Sequence, residues 1–330
     1  MVSAESVAAP DRRGFRCINS AYQRAFVPGR MTLGLVVPIE NYADSPVPTM
    51  LASRQRIELA DRLGFAAAWL RDVPFNVPSF GDAGQTFDPF AYLGLLAATT
   101  EQIGLGIASL ILPLRHPAHV AKAAATIDVL SDGRLLLGVA SGDRPAEYPA
   151  LAIDPLTRGQ RFRESYEYIR RVAESYPAFS NDFGTVGQGI DMLPKPAAGR
   201  LPLLITGSSQ QSIDWLAANG DGWMTYPRPA AVQADFIATL RGQRRSDSDV
   251  DKPVMEPLYI DLLGNAGAKP TPIHLGFRSG IGALRDYLLE RQSIGVNHVA
   301  LNLRFNQSDI ERVMQQLAEQ LLPLFATGNP

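Results

Sequence analysis

The chain has 330 residues, 46% of them hydrophobic, and a formal net charge of -2 with charges scattered along its length. That is ample for a large buried core, and without a basic block nucleic acid and anionic membrane surfaces are not expected partners. No apolar run approaches the roughly 20 residues of a membrane span. The first residues lack an apolar segment followed by a cleavage site, and Cys17 is the sole cysteine, so a cytoplasmic protein without internal disulfides is expected.

Residues 1–30 show no clear period and read as an irregular N-terminal arm ahead of a body at residues 31–330. Residues 32–37 (T-L-G-L-V-V), closed by Pro38, predict the first strand. A helix with Thr49 as its cap runs to about Leu63, Gly64 ends it, and residues 65–70 are the second strand. Residues 71–88 are long, rich in Pro and Gly, and aromatic, which is the pattern of a functional loop or lid. Asp88 then caps a helix with Pro89 in its first turn.

Residues 103–142 read as a complete strand–helix–strand unit. The apolar run 103–112 suits a parallel strand covered on both faces. Val120, Ala123, Ala124, Ile127 and Leu130 recur at helical spacing, Ser131, Asp132 and Gly133 turn the chain, and residues 134–140 are the fourth strand. Further on, Phe162, Tyr166, Ile169, Val172 and Tyr176 predict a helix, and residues 181–200 a hairpin-like insertion. Strands follow at 201–206, 222–226, 255–263 and 296–303, with helices after 207, from 231 to about 244, and from 280 to 292. Ser308 to Glu311 form a capping box for a last helix whose apolar face is Ile310, Val313, Met314, Leu317 and Leu321. Eight strand–helix pairs are the count of an α/β protein of the single (β/α)8 barrel type, with a doubly wound open sheet as the alternative.

Chemistry is expected at the C-terminal ends of those strands, where such folds keep their ligands. The four histidines have no acidic or cysteine cluster beside them, so no metal centre is expected. Nucleophile-elbow, Walker and dinucleotide fingerprints are missing, and Gly104-Leu105-Gly106 falls inside a strand. Gly207, Ser208 and Ser209 end a strand just before a helix and so could cradle a phosphate, or simply cap that helix. Ala108 and Ser109 are small enough for a flat ring to approach, or to fill a tight barrel layer. Asp72, Arg115, Asp143, Arg144 and Tyr148 are polar groups near strand ends that would serve equally as surface or ion-pair residues.

The segments I-G-L-G-I-A-S-L-I-L-P-L-R-H-P, L-S-D-G-R-L-L-L-G-V-A-S-G and L-P-L-L-I-T-G-S-S-Q-Q-S-I-D-W-L-A-A-N-G-D-G-W resemble the bacterial luciferase-like flavin monooxygenases. The likeness extends over about residues 31–325. It implies a (β/α)8 barrel using reduced FMN with O2 on a small organic substrate, or in some branches a deazaflavin, usually as a homodimer supplied by a separate flavin reductase. It also implies a cis peptide at Ala108-Ser109 beneath the flavin ring, and cofactor contacts from Ser141, Gly142, Asp143 and Arg144 and from Gly207, Ser208 and Ser209. Asp72 matches the family's acid after the second strand, but Val73 stands where many relatives have a catalytic histidine. Ser141 replaces a phosphate-holding arginine, a charge that Arg144 could supply. Arg71, Asp72 and Arg144 are therefore the expected orienting or proton-transfer groups, and a flavin-binding protein without turnover is the rival outside enzymology.

Overall fold

A computed structural model describes residues 14–81, 83–242 and 250–325. Eight parallel strands close into a ring: β1 (Thr32–Val36), β2 (Ala67–Leu70), β3 (Gly104–Ile111), β4 (Leu135–Ala140), β7 (Leu203–Thr206), β8 (Gly222–Met224), β9 (Val254–Leu262) and β12 (His298–Asn302). The pairing of β8 with β9 and of β12 with β1 completes the circle, so the (β/α)8 barrel holds and the open sheet does not. Two short hairpins decorate it. One is β5 (Phe179–Asn181) with β6 (Gly184–Val186), at the start of the expected insertion. The other, β10 (Thr271–Ile273) with β11 (Gly276–Ser279), lays β11 parallel to β9 and had no clear sequence signal.

The helices are α1 (Ser20–Ala25), α2 (Ser53–Leu63), α3 (Pro89–Thr99), α4 (Pro117–Leu130), α5 (Glu147–Ala150), α6 (Arg158–Val172), α7 (Ile213–Asn219), α8 (Ala230–Gly242), α9 (Ile281–Ser293), α10 (Ile310–Gln320) and α11 (Leu322–Phe325). Asp88 caps α3 as expected, accepting from the N–H groups of Phe90 and Ala91 at 3.0 Å. Gly64 ends α2 at φ +86°, a conformation that suits glycine. Thr49 does not cap α2; its hydroxyl donates to Glu40 at 3.0 Å instead. The capping frame of α10 is also one residue later than expected. Asp309 accepts from Arg312 N–H at 2.8 Å, while Ser308 donates to the Leu262 carbonyl. All five expected apolar positions of that last helix are buried. None of the helices in the described residues is long and apolar enough to cross a membrane.

Alternation along the strands feeds two separate cores. Leu33 and Leu35, Ala68 and Leu70, Leu135 and Leu137, Leu203 and Ile205, and Val299 and Leu301 face the helical layer. Val36, Ala67, Trp69, Leu136, Leu204, Met224, Met255 and Ala300 belong to the barrel interior. Glycines make room for the largest of these: a Cβ on Gly106 would lie 2.3 Å from Trp69 Cε3, and one on Gly138 would lie 2.4 Å from the Met224 sulfur.

The N-terminal arm departs from expectation. Its first thirteen residues lie outside the described residues, but Ser20–Ala25 is helical rather than irregular, and Ile18, Ala21, Tyr22, Ala25 and Phe26 pack into the barrel interior. Asn19 caps α1 and reaches the Leu135 carbonyl at 2.8 Å, and Tyr22 donates to the Asp221 carbonyl at 2.5 Å, both just at strand starts. The segment therefore plugs the N-terminal end of the barrel. A polar chain ties it in: Trp69 Nε1–H donates to His298 Nε2 at 2.8 Å, which leaves the proton on Nδ1, 2.7 Å from Thr32 Oγ1. That hydroxyl in turn donates to the Ala25 carbonyl at 2.6 Å.

Two outcomes follow. Gly106→Ala forces a methyl into the Trp69 ring and should cost about 2 kcal/mol or more, read as a lower urea midpoint at unchanged slope. His298 is fully buried, which pulls its pKa down from 6.5 to about 3. Below pH 6.5 the unfolded chain takes up this proton and the folded one does not. Stability is lost as pH falls from 6.5 towards 3, by up to about 1.4 kcal/mol per pH unit from this residue. Denaturation curves across that window should be steeper in pH for the wild type than for His298→Asn.

Candidate active site

The C-terminal mouth gathers the loops after β2, β3, β4 and β7. Its floor is the end of β3, where Ala108 and Ser109 are half-buried, their peptide bond is cis, and the β3–β4 register shifts between Ile107 and Leu110. Ser109 Oγ meets Thr206 Oγ1, so the ends of β3 and β7 touch. Thr206 was not among the expected residues. As the last residue of an apolar strand it differs from its neighbours only by its hydroxyl.

The β7 loop is a turn, not the start of a helix. Gly207, Ser209 and Gln210 have φ of +56°, +46° and +62°, and α7 opens at Ile213 with Ser212 accepting from Trp215 N–H at 3.2 Å. The expectation that Gly207, Ser208 and Ser209 open the helix is corrected accordingly. They are not its caps either: Ser209 Oγ donates back to the Thr206 carbonyl at 2.8 Å, and Ser208 Oγ accepts from Gln210 N–H at 3.3 Å. Trp223 Nε1–H donates to the Gly207 carbonyl at 2.9 Å, and Gln211 bridges to the Gly159 carbonyl at 2.8 Å, next to Arg163. Among the described residues no acceptor faces the amide N–H of Ser208 or Ser209. The turn thus leaves two backbone amides without an acceptor among the described residues, in place of the helix start that was expected.

Asp72 is buried and fully engaged. It takes Arg115 Nη2 at 2.7 Å and Nε at 3.2 Å, and Ile111 N–H at 3.1 Å, while Arg115 also reaches Asp88 at 3.1 Å. Rather than the free orienting or proton-transfer group expected, it is a brace joining the ends of β2 and β3 to the start of α3. Arg71 lies against the 71–88 loop: its carbonyl accepts from Gln85 at 2.7 Å, and its guanidinium carbon is 3.0 Å from where a Cβ on Gly84 would stand. Arg144 is buried with its guanidinium 4.4 Å from the Phe80 ring centroid, so it holds the same loop from the β4 side.

After β4, Tyr148 donates to the Ser141 carbonyl, and burial pushes its hydroxyl up to about 12. Gly142 at φ +80° passes so close to Ile111 and Tyr148 that a Cβ would lie 2.7 and 2.8 Å from them. Asp143 is exposed. Glu147, not among the expected residues, is buried, and burial raises its carboxyl above its usual range against the pull of Arg144. Its only sequence signal was an acid next to an aromatic shortly after a strand end. Of the histidines, His116 caps α4, accepting from Ala118 N–H at 3.2 Å.

A closed parallel barrel with small residues and backbone amides without acceptors at its C-terminal mouth is an α/β barrel, a class that keeps its ligand sites at that end. The luciferase-like monooxygenase family model matches residues 31–261, and the chain belongs to that family. It is 28% identical over 256 residues to the uncharacterized protein Rv0953c of Mycobacterium tuberculosis, covering 73% of this chain and 82% of the relative. Its fold is similar to that of an F420-dependent secondary alcohol dehydrogenase in complex with an F420-acetone adduct (TM-score 0.73, 17% identity, 90% of this chain and 100% of the other). It is also similar to the oxygenating constituent of 3,6-diketocamphane monooxygenase from Pseudomonas putida, a type II Baeyer-Villiger enzyme in complex with FMN (TM-score 0.71, 11% identity, covering 91% and 100%).

The brace at Asp72 is testable. Asp72→Asn removes the charge from a buried acceptor whose Arg115 partner is partly exposed, and should destabilise the fold by roughly 2 kcal/mol. Thermal unfolding should show a lower midpoint, and Asp143→Asn at the exposed position after β4 should leave the midpoint unchanged.

Proposed function

We propose that the protein is an FMN-dependent oxidoreductase, a monooxygenase that uses reduced FMN and O2 on a small organic substrate. The observation that carries the reading is the pairing across the mouth of a small-residue floor, Ala108 and Ser109, with the turn at Gly207, Ser208 and Ser209 and its uncommitted amides. The residues fit the group: the turn would take the phosphate and the floor would lie against the ring. Ser141, Gly142, Asp143 and Arg144 would flank it. When bound, the reduced flavin supplies the electrons that activate O2. The chain's own part is to orient and to exclude water, through Arg71 in the 71–88 loop and Arg144 holding that loop from the β4 side, with the Asp72 brace fixing its root.

A deazaflavin-dependent reductase is the second reading, favoured by the fold neighbour that carries F420. The monooxygenase reading carries with it a separate flavin reductase, a homodimer and a cytoplasmic location.

Titration with FMN, reduced FMN and a deazaflavin, followed by fluorescence or heat, distinguishes them. Reduced FMN should bind in the micromolar range, and Gly207→Asp should weaken it about tenfold or more by setting a carboxylate against the phosphate. A Cβ on Gly207 has open space around it, and the backbone strain of φ +56° is shared by Gly207→Asn, which lacks the charge and should bind more tightly than Gly207→Asp. Ser209→Arg, which fills the buried side of the turn, should also weaken binding. Preference for the deazaflavin would select the reductase, and O2 uptake with a substrate panel would select the monooxygenase. Binding of neither would refute both.

A further inference from the structure

We infer that Asn302 is the substrate-orienting donor of this site: its side-chain amide nitrogen donates to a carbonyl oxygen, and the substrates are small, flat carbonyl compounds. The inference rests on the oxidoreductase reading above, in either form, and names the substrate side of that site.

Alternation along β12 fixes where Asn302 stands. Val299, Leu301 and Leu303 belong to the outer core, while Ala300 lies in the barrel interior and His298 bonds to Trp69 there. Asn302 is the next residue on that inner face. Its register neighbours agree. It pairs with Tyr259, which shares the inner face of β9 with Met255, and on the other side Leu301 pairs with Leu35, which sets Asn302 level with the interior residue Val36. In the ring of eight, β12 lies opposite β4, and β4 sits between β3 and β7, the two strands of the proposed flavin site. Asn302 thus stands across the mouth from that site.

The amide is half used. Asn302 is 2% exposed, and its Oδ1 accepts from Arg304 N–H at 3.0 Å, which turns the chain at the end of β12 and identifies the other end of the amide as Nδ2. Among the described residues no acceptor lies within hydrogen-bond reach of Nδ2. Asp or Ser would make the same turn, so the turn explains the oxygen and leaves the nitrogen unexplained. Donors held in a buried place without an acceptor are costly, and a ligand acceptor removes that cost.

Nδ2 can only donate. A carbonyl oxygen needs donors alone, whereas a hydroxyl or amine brings a proton that needs a partner of its own. The surroundings suit a flat apolar body: the Tyr259 ring stands 5.6 Å from that of Phe305 and 5.8 Å from that of His274. Arg304, between the rings of Tyr42 and Phe305, reaches the Gly81 carbonyl at 3.4 Å. The 71–88 loop, held by Arg144 on the β4 side, therefore touches the Asn302 side too and spans the mouth above both.

Acetophenone and cyclohexanone, isotope-labelled at the carbonyl, are the probes, with ethylbenzene and cyclohexane as their counterparts lacking oxygen. Infrared difference spectra of the protein, with and without FMN, should place the bound carbonyl band below its position in hexane. Asn302→Leu, which keeps the size and removes the donor, should return the band to the hexane position and weaken ketone binding about tenfold, without weakening the hydrocarbons. Asn302→Asp keeps the acceptor for Arg304 N–H and lacks the amide donor, so it should show the same loss even where Asn302→Leu fails to fold. Failure of both ketones to bind, a band at the hexane position in the wild type, or a shift that survives either variant overturns the assignment. FMN should bind the wild type and both variants equally; variants that lose FMN instead would assign the donor to a carbonyl of the cofactor and overturn the substrate role. Failure of the oxidoreductase reading would show separately, as lack of flavin or deazaflavin binding by the wild type, while the spectra without FMN still judge Asn302.

Discussion

Closure is the constraint on which everything else depends. A parallel strand alternates its side chains between two faces, so a ring of eight must fill an interior as well as an outer layer. The outer layer is easy, because each connecting helix brings its own apolar stripe. The interior is not, because the strands are short and both ends of the barrel are open. This chain fills it with Trp69, Met224, Met255 and Leu136, lets glycines at 106 and 138 yield the space, and closes the lower end with α1. What remains open is the upper end, and there the small and polar residues collect.

The same closure accounts for how charge is handled. Trp69, His298 and Thr32 pass one hydrogen bond to the next until it ends on the carbonyl of Ala25, so the interior holds a histidine without holding a charge. At the mouth, Asp72 spends its charge on Arg115 and so fixes the exits of two strands. Both arrangements are braces. Neither is free to react, and the proposed site draws instead on the amides of the β7 turn and the floor at Ala108 and Ser109.

Position near a strand end was more legible in the chain than the role of each residue there. Asp72 and Arg144 were rightly placed near strand ends, yet what each does depends on partners far off in sequence. Arg115 lies 43 positions from Asp72, and Phe80 comes from a different loop than the arginine it covers. Glu147 had no distinguishing pattern at all. An acid in a loop looks like a solvated surface residue until the rest of the chain buries it.

Local sequence sufficed for whatever is set by local sterics and periodicity. The β-branched apolar runs became barrel strands, Asp88 with Pro89 began α3, Gly64 ended α2, and the apolar stripe of α10 was buried as read. These depend on backbone preference and on repeats of two or 3.6 residues, which a single chain displays openly. The tertiary structure alone decided the rest: that the sheet closes through β8 and β9, that α1 is a plug, that the β7 turn runs to Ser212 before its helix begins, and that Glu147 is sealed beside Arg144. Each of these is fixed by contacts between distant segments, up to the 199 positions that separate Tyr22 from the carbonyl it holds. Their energies come from burial, which no stretch of sequence possesses until the remainder of the chain has folded over it.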